Sequence, residues 1–570
     1  MGILVNKLLN KYPVIKQTHI IFIFFLMLYF PALGQIDIYD KSRPGFLVFH
    51  PIKTDTKGNI LPWYDENPGK SYNYVINKVW DFWDSIRTDI NGLPYYMNHQ
   101  VWRKRPNDPR GIGGDQFSMA LSSWQLLYQY TGNENIRENM KFIADYYLSH
   151  SLSPNNAAWQ NIPFPYNTLI YSGLYDGDMV EGKGVTQPDK AGSFGYELIK
   201  MYKLTRKKNF QSVTSQLYLD AAIRIANTLA KYAKQGNENE SPLPFKVDAF
   251  TGKTAYLKSN SGDHSNVEFS SYTTNWSGTL ELWLDLIKLK KGNTAHYQKA
   301  FDMVLLWMRN YPLKNNKWGP FFEDIPGFSN TQINAITFAE FIMRHKEIFP
   351  NWKEEVKGIF NWTYKNLGNH QWENYGVIVM NEQTVYQTPG NSHTARQAAT
   401  ELLYGALSGD TLYQQNAIRM LNWATYCVDI DGKNNYPRDE IWLTDGYGDY
   451  VRHYIKAMAA ETDLAPDDEN HIISSTSIVN QADYYPNFNK TLSFDIPKES
   501  MGDAKIYYRT FDEKSTELIR MVKKPIKIVM DKIVLPEKQN LDSEGWIWKP
   551  MKKGGLLTIY HITKNEITIF

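Results

Sequence analysis

In the stretch "QTPGNSHTARQAATELL", His393 and Arg396 lie three positions apart with Gln397 beside Arg396, at the start of an apolar-periodic run. That spacing puts an imidazole, a guanidinium and an amide on one face of a helix's first turn. A second group, His264 and Tyr272 with Asn275 and Trp276, flanks the start of another helical run. A third, Arg438 and Tyr447, comes from "NNYPRDEIWLTDGYGDYVRHYIKAMAA", where Tyr436, Arg438, Asp439, Glu440, Trp442, Asp445, Tyr447, Asp449, Arg452 and His453 crowd the mouth of a helix. A histidine, a tyrosine and an arginine around one anionic sugar suit proton abstraction next to a carboxylate. The arginine pairs with the carboxylate and with the enolate-like charge that develops, a tyrosine or histidine takes the C5 proton, and another group protonates what leaves from C4. The candidates for these roles are His264, Tyr272, His393, Arg438 and Tyr447, with Asp115, Gln116, Trp276, Arg396, Trp442 and Asp445 as substrate-binding residues.

A rival chemistry uses carboxylates. Hydrolysis of a glycosidic bond needs an acid paired with a base or nucleophile, and Asp115, Asp176, Asp178, Glu181, Asp263, Glu268, Glu323, Asp445 and Asp449 all occur in or beside long connectors. Without a distance between them they do not define a pair. A third reading is a non-catalytic glycan-binding protein in which aromatic rings stack on sugars. "DGDMVEG" looks like a fragment of a calcium loop but lacks the further acidic ligands at the required spacing, so no metal is expected. G-x-S-x-G, P-loop and H-E-x-x-H patterns are absent, and no cofactor is implied.

These residues must be positioned by helices. From Ser71 to Ala460 apolar residues recur at helical spacing, and twelve helices are expected near 71–88, 115–130, 134–150, 191–204, 215–235, 272–290, 294–311, 331–347, 352–367, 392–407, 411–428 and 446–460. Stretches such as "QYTGNENIRENM" and "ALSGDTLYQQNAIRM" stop one helix at a Gly, Asn or Asp turn and start the next almost at once. The intervening connectors, near 88–115, 150–191, 235–272, 311–331, 367–392 and 428–446, are long, aromatic and polar. Alternating short and long loops imply antiparallel hairpins with all long loops on one face. Six hairpins close most economically into a mainly α fold, an (α/α)6 toroid over 71–463, with the long loops around one cleft. Helix N-termini converging there would favour an anion, although Asp115, Ser392 and Asp445 also suit plain N-caps.

Beyond Leu464 the texture becomes short, β-branched and aromatic, and a C-terminal antiparallel β-sandwich is expected over 464–570. At the other end, Lys7, Lys11 and Lys16 precede "IIFIFFLMLYFPALG", which reads as a secretory signal over 1–34, followed by an irregular leader over 35–70. The apolar run is short for a bilayer span, so no stable membrane insertion is expected after cleavage. Export with a single cysteine, Cys427, leaves no internal disulfide, and the fold must rest on its core. Three of the 62 basic residues fall in the signal, leaving 59 against 60 acidic ones, a balance with no electrostatic reason to bind nucleic acid. The 17 Trp and 38 Tyr bias an exported chain toward carbohydrate, since each ring offers an apolar face and a polar edge. The partner expected is an acidic oligosaccharide, and the compartment the periplasm, with secretion as the alternative.

The order of signal, six-hairpin helical region and β-rich C-terminus resembles the exported (α/α)-toroid polysaccharide-degrading proteins of Bacteroidota, lyases and glycoside hydrolases acting on uronic-acid polysaccharides. Within that group, "DGYGDYVRHYIKAMAA" followed by a β-domain carrying "STELIRM" and "EGWIWKPMKKGGLL" is similar to proteins of marine polysaccharide degradation, the ulvan oligosaccharide dehydratases above all. The resemblance implies removal of water across C4 and C5 of a terminal glucuronate, leaving an unsaturated sugar. It carries over no catalytic residue, because no diagnostic motif matches position by position. The active-site pattern of the unsaturated glucuronyl hydrolases, which share the toroid, is not found.

Overall fold

The computed structural model describes residues 46–47, 50–86, 88, 91–97, 114–169, 172–206, 213–257, 268–322, 328–434, 447–485 and 504–570. Twelve helices of at least twelve residues lie within them: α1 (Pro68–Asp84), α2 (Gly114–Thr131), α3 (Glu134–Ser151), α4 (Pro188–Thr205), α5 (Val213–Tyr232), α6 (Ser277–Lys288), α7 (Thr294–Asn310), α8 (Gln332–Arg344), α9 (Trp352–Leu367), α10 (Asn391–Ser408), α11 (Gln414–Thr425) and α12 (Tyr447–Ala460). All twelve match the expected spans to within a few residues. The largest difference is α6, which begins at Ser277 rather than near Tyr272. The Thr273 and Thr274 hydroxyls donate to the carbonyls of Pro320 and Trp318 (2.8 and 2.5 Å), holding that segment extended until Trp276.

Local chemistry sets the helix ends. Asn67, Asn133 and Asn293 cap α1, α3 and α7, each side chain accepting a backbone N–H of the first turn. Gly132 and Gly409 adopt positive φ (61° and 78°) where α2 and α10 stop, a backbone that permits the immediate start of the following helix.

The even-numbered helices touch one another in a cycle: α2 meets α4, α4 meets α6, α6 meets α8, α8 meets α10, α10 meets α12, and α12 returns to α2. The odd-numbered helices pack outside them, α1 against α12, α3 against α2, α5 against α4, and so on to α11 against α10. An inner helix flanked on three sides is buried nearly all round. In α8 that burial includes the polar residues Gln332, Asn334 and Glu340. Of these, Glu340 lines the interior described below, while Asn334 donates to the carbonyls of Trp318, Gly319 and Pro320 and Gln332 bonds the neighbouring inner helix.

Small residues let the inner helices approach. A Cβ on Gly278 would sit 2.8 Å from Cα of Ser193, across the α4–α6 contact. One on Gly448 would sit 2.7 Å from the Gln116 carbonyl, where α12 closes onto α2.

After α12 the chain forms two antiparallel sheets. With β1 (His471–Ser475), β2 (Val479–Tyr484), β3 (Ile506–Thr510), β4 (Ser515–Met521), β5 (Ile528–Met530), β6 (Ile533–Leu535), β7 (Gly545–Pro550), β8 (Gly555–His561) and β9 (Glu566–Ile569), the sheet orders are β1-β4-β8-β7 and β2-β3-β9-β5-β6. Ile472, Ile519, Leu557 and Ile559 of the first share one buried cluster with Ile506, Tyr508, Ile528 and Ile567 of the second. The sheets sit at the C-terminal ends of α2 and α4. His471 stacks on Tyr130 at 3.8 Å, the Tyr484 hydroxyl donates to the Gln129 carbonyl (2.6 Å), and Phe511 meets Tyr202 edge-on.

If the glycine contacts close the ring, Gly448→Val overpacks the α12–α2 contact and costs about 1–3 kcal/mol. The expected result is a lower thermal unfolding midpoint for Gly448→Val, with Gly358→Val, which meets nothing within 4 Å, as the comparison.

Candidate active site

The inner helices enclose a cavity of about 680 Å³ along the ring axis, within the range of small-molecule sites. Its lining runs from Ser118, Lys190, Ile333 and Arg396 near the N-terminal ends of the inner helices to Gln129, Lys203, Lys288 and His345 near their C-terminal ends. Among the described residues its lining carries eight lysines and arginines against five carboxylates, an excess of cations.

The densest chemistry is the first turns of α12. Asp449 (Oδ2) pairs with the Arg396 guanidinium from α10, while its Oδ1 receives Arg452 and, at 3.1 Å, Nε2 of His453. Asp449, Arg452 and His453 stand at i, i+3 and i+4, so one helical face carries all three. The carboxylate also lies in the first turn of α12, where the helix dipole favours a negative charge. Arg396 is held from its other side by Gln332 of α8, whose Oε1 accepts Nη1 at 2.8 Å. Both guanidiniums keep a buried Nε with no hydrogen-bond partner. Two arginines thus share one carboxylate, leaving uncompensated positive charge and unused donors beside the cavity.

His453 lines the cavity. Burial, reinforced by Arg452 and Arg396, pulls its imidazole well below the usual 6.5, so it is neutral at pH 7. Because an ionised carboxylate only accepts, Nε2 carries the proton and Nδ1 is the basic nitrogen. An aspartate fixing the tautomer of a neutral histidine is the arrangement of a general base. One turn on, Lys456 bonds Glu340 at 2.8 Å with 31% of its side chain exposed, and burial pushes it down to about 8. Glu340 is held down at about 2: burial raises it, and Lys456 and Arg344 overcome that.

The predicted residues distribute unevenly. Arg396 lines the cavity. His393, one turn before it, is 97% buried with neither ring nitrogen hydrogen-bonded; its Nδ1 lies 3.6 Å from Glu382 and its ring 5.7 Å from Phe322. Burial and Arg396 lower its pKa well below 6.5. Gln397 does not line the cavity: its Oε1 accepts from Gln332 (3.2 Å), and its amide bonds Thr363 and Glu401. Tyr272 donates to the Lys317 carbonyl (2.6 Å) and packs edge-on against Trp307, and Trp276 is fully buried with its indole N–H on Thr273. Neither lines the cavity, nor does Gln116, which is buried in α2. Asp115 and Tyr447 belong to α2 and α12, but their side chains, like all of His264, Arg438, Trp442 and Asp445, lie outside the described residues. Of the rival carboxylates, Asp176 pairs with Lys183 and Asp178 and Glu181 with the buried Lys246, so these three brace connectors. Asp263, Glu268 and Glu323 fall outside the described side chains.

No protein-family model matches the chain, and no curated protein matches it. Solved structures do. Cellobiose 2-epimerase from Spirochaeta thermophila DSM 6192 superposes with a TM-score of 0.51 at 12% identity, covering 69% of this chain and 96% of the epimerase. A family 76 glycoside hydrolase from a bovine Bacteroides thetaiotaomicron strain gives 0.43 at 12% identity over 68% and 77% of the two chains. A polysaccharide lyase gives 0.40 at 11% identity over 69% and 97%. These neighbours are sugar-processing enzymes of the (α/α)-toroid type, and at such identity the likeness is one of fold.

Asp449→Asn strands two buried guanidiniums, which is expected to cost about 3–5 kcal/mol. The buried histidines give stability a sign. Their folded pKa values lie below the 6.5 of the unfolded chain, so between the two the unfolded state binds more protons. Their contribution is complete above pH 6.5 and is lost as pH falls through the folded values. Unfolding free energy measured from pH 7 to 4 is therefore expected to fall less steeply in His453→Gln than in the wild type.

Proposed function

We propose that this chain is a carbohydrate-active enzyme, a carbon–oxygen lyase that eliminates across C4 and C5 of a uronic-acid unit in an acidic oligosaccharide. In its most specific form the reading is an ulvan oligosaccharide dehydratase acting on glucuronate, exported by residues 1–34 to the periplasm. The proposal includes a closed toroid of six hairpins over 71–463 and a β-sandwich over 464–570, with an irregular leader over 35–70. The cycle of inner-helix contacts and the single cluster shared by the two sheets support these.

The observation that carries the functional reading is the pair of buried guanidiniums, Arg396 and Arg452, sharing Asp449 next to a neutral His453 in the axial cavity. The uronate carboxylate would take the unused guanidinium donors, which also stabilise the negative charge spreading into it as C5 loses its proton. Nδ1 of His453 accepts that proton. The C5–H electron pair becomes the C4=C5 bond, and the C4–O bond breaks with its electrons on oxygen. Lys456, a stronger acid than an ordinary lysine, supplies the proton that lets the oxygen leave as water, or as a sugar hydroxyl if C4 carries a glycosidic bond. Both amino-acid protonation states suit neutral pH, so the pair works without further adjustment.

Glycoside hydrolysis finds less support. It needs a carboxylic acid that stays protonated near neutrality. The described cavity carboxylates instead bond cations or a hydroxyl, Glu340 on Lys456, Glu281 on Arg344, Glu197 on Lys200, Asp285 on Lys203 and Asp512 on Ser477.

Incubation with ulvan oligosaccharides, followed by ultraviolet absorbance and product mass, separates the possibilities. The dehydratase gives an absorbing product lighter by one water, and a lyase gives absorbing fragments. Fragments without absorbance indicate a hydrolase, an isomer of unchanged mass an epimerase, and binding without product a glycan-binding protein. His453→Gln is expected to lower kcat about 10²–10⁴-fold. Wild-type kcat/KM should rise as His453 loses its proton below pH 6.5 and fall above about 8 as Lys456 loses its own.

A further inference from the structure

The axial cavity has two chemically different halves. Its deep half, at the N-terminal ends of the inner helices, presents Lys190, Arg396, Arg452 and His453 and, among the described residues, no lining carboxylate; Asp189, outside the lining, pairs with Lys190 at 3.4 Å. At its floor Met119, Phe321 and Ile333 form a buried apolar cluster with Phe322 packed against it. Among the described residues, the half nearest the β-domain holds five lysines and arginines against five carboxylates, an even balance. Exposure also differs: Lys190, Arg396 and His453 are at most 3% exposed, whereas Lys288 and Thr476, at the β-domain end, are exposed. Lys190 and Lys203 both line it, thirteen positions apart on α4, so the cavity is about 20 Å long at ~1.5 Å per residue. One pyranose ring does not fill that length.

The balanced half is furnished for a sugar. The Tyr196 ring, half-buried, lines the wall with Lys200 Nζ 4.2 Å from its centroid. Beside it Glu197, 6% exposed, gives one carboxylate oxygen to Lys200 (2.7 Å), and its Oε2 is buried without a hydrogen-bond partner. Opposite them the Ser475–Ile478 turn of the β-domain contributes hydroxyls and an isoleucine to the same lining. Lys200 covers one face of the Tyr196 ring; the rest of the ring, an unused acceptor and a hydroxyl-rich edge suit the C–H groups and hydroxyls of an uncharged pyranose.

We propose that the β-domain end of the cavity is a second carbohydrate subsite, which takes the neutral sugar unit next to the anionic ring held in the deep half. The helical ring and the β-domain build it jointly. The charge asymmetry then orients the oligosaccharide: the anionic end goes in first and the neutral units trail past Tyr196 toward Thr476. This placement of the deep ring rests on the functional reading above; the subsite itself rests on Tyr196, Glu197 and the β-domain turn.

The test uses the full chain and compares glucuronic acid with a trisaccharide bearing a terminal glucuronate on two neutral sugars. Affinity is measured by calorimetry and, separately, turnover by ultraviolet absorbance. Tyr196→Leu and Glu197→Gln are expected to weaken trisaccharide binding about tenfold while leaving the affinity for glucuronic acid unchanged. Tyr196→Phe, which keeps the ring, should retain most of the trisaccharide affinity. Unfolding midpoints equal to wild type confirm that the variants are folded; where Glu197→Gln is not, the two tyrosine variants decide. Equal trisaccharide affinity in Tyr196→Leu and wild type overturns the subsite, even if the elimination proceeds. Selective loss of trisaccharide affinity with no elimination in any protein upholds the subsite and overturns the functional reading instead.

Discussion

One buried carboxylate, Asp449, holds the site together. It joins α12 to α10 through Arg396, and on its own helix it receives Arg452 and His453. Charges this deep persist only when paired, and a single negative charge against two guanidiniums leaves the balance positive. Glu340 acts on both guanidiniums and Glu382 on Arg396 from farther off, and the remaining excess of positive charge is what an anionic ligand relieves in the proposed reading. The same carboxylate fixes which imidazole nitrogen is free, so in the proposed reaction substrate binding and proton transfer both depend on one side chain.

The rest of the fold keeps that arrangement buried. Inner helices with glycine at their contacts approach until little space remains between them, and outer helices cover their far sides. Paired groups continue down the axis from Glu340 with Lys456 and Arg344 to Glu281 with Arg344 and His345. These pairs satisfy part of the inner helices' buried polar groups and also supply a lysine whose acidity is set by its surroundings. Stability and chemistry here draw on the same residues, which is why the buried histidines make acid sensitivity a property of the site.

The helices were legible because hydrophobic period and turn residues are local signals; α9 and α12 fall almost where the spacing predicts them. The α6 start was missed because Thr273 and Thr274 bond carbonyls beyond Lys317, a tertiary constraint that no local pattern carries. Arg396 was legible through its spacing from His393, yet that spacing misplaced Gln397, since neighbours on a helix point about 100° apart. Tyr272 looked chemical for its neighbours and instead donates to a backbone carbonyl. Asp449, Arg452 and His453 stood in the sequence at i, i+3 and i+4, the signal that could have singled them out. Their role depends on Arg396 from another helix, and separation along the chain hides that. His264, Arg438, Trp442 and Asp445 remain sequence-based candidates from the long connectors.

The most direct measurement is a crystal structure of the His453→Gln protein with a bound glucuronate-terminated oligosaccharide, in which chemistry is blocked and the substrate stays whole. The account predicts the uronate carboxylate within hydrogen-bond distance of Arg396 and Arg452, with C5 facing residue 453. A sugar bound elsewhere, with the Asp449 cluster closed and untouched, would contradict it.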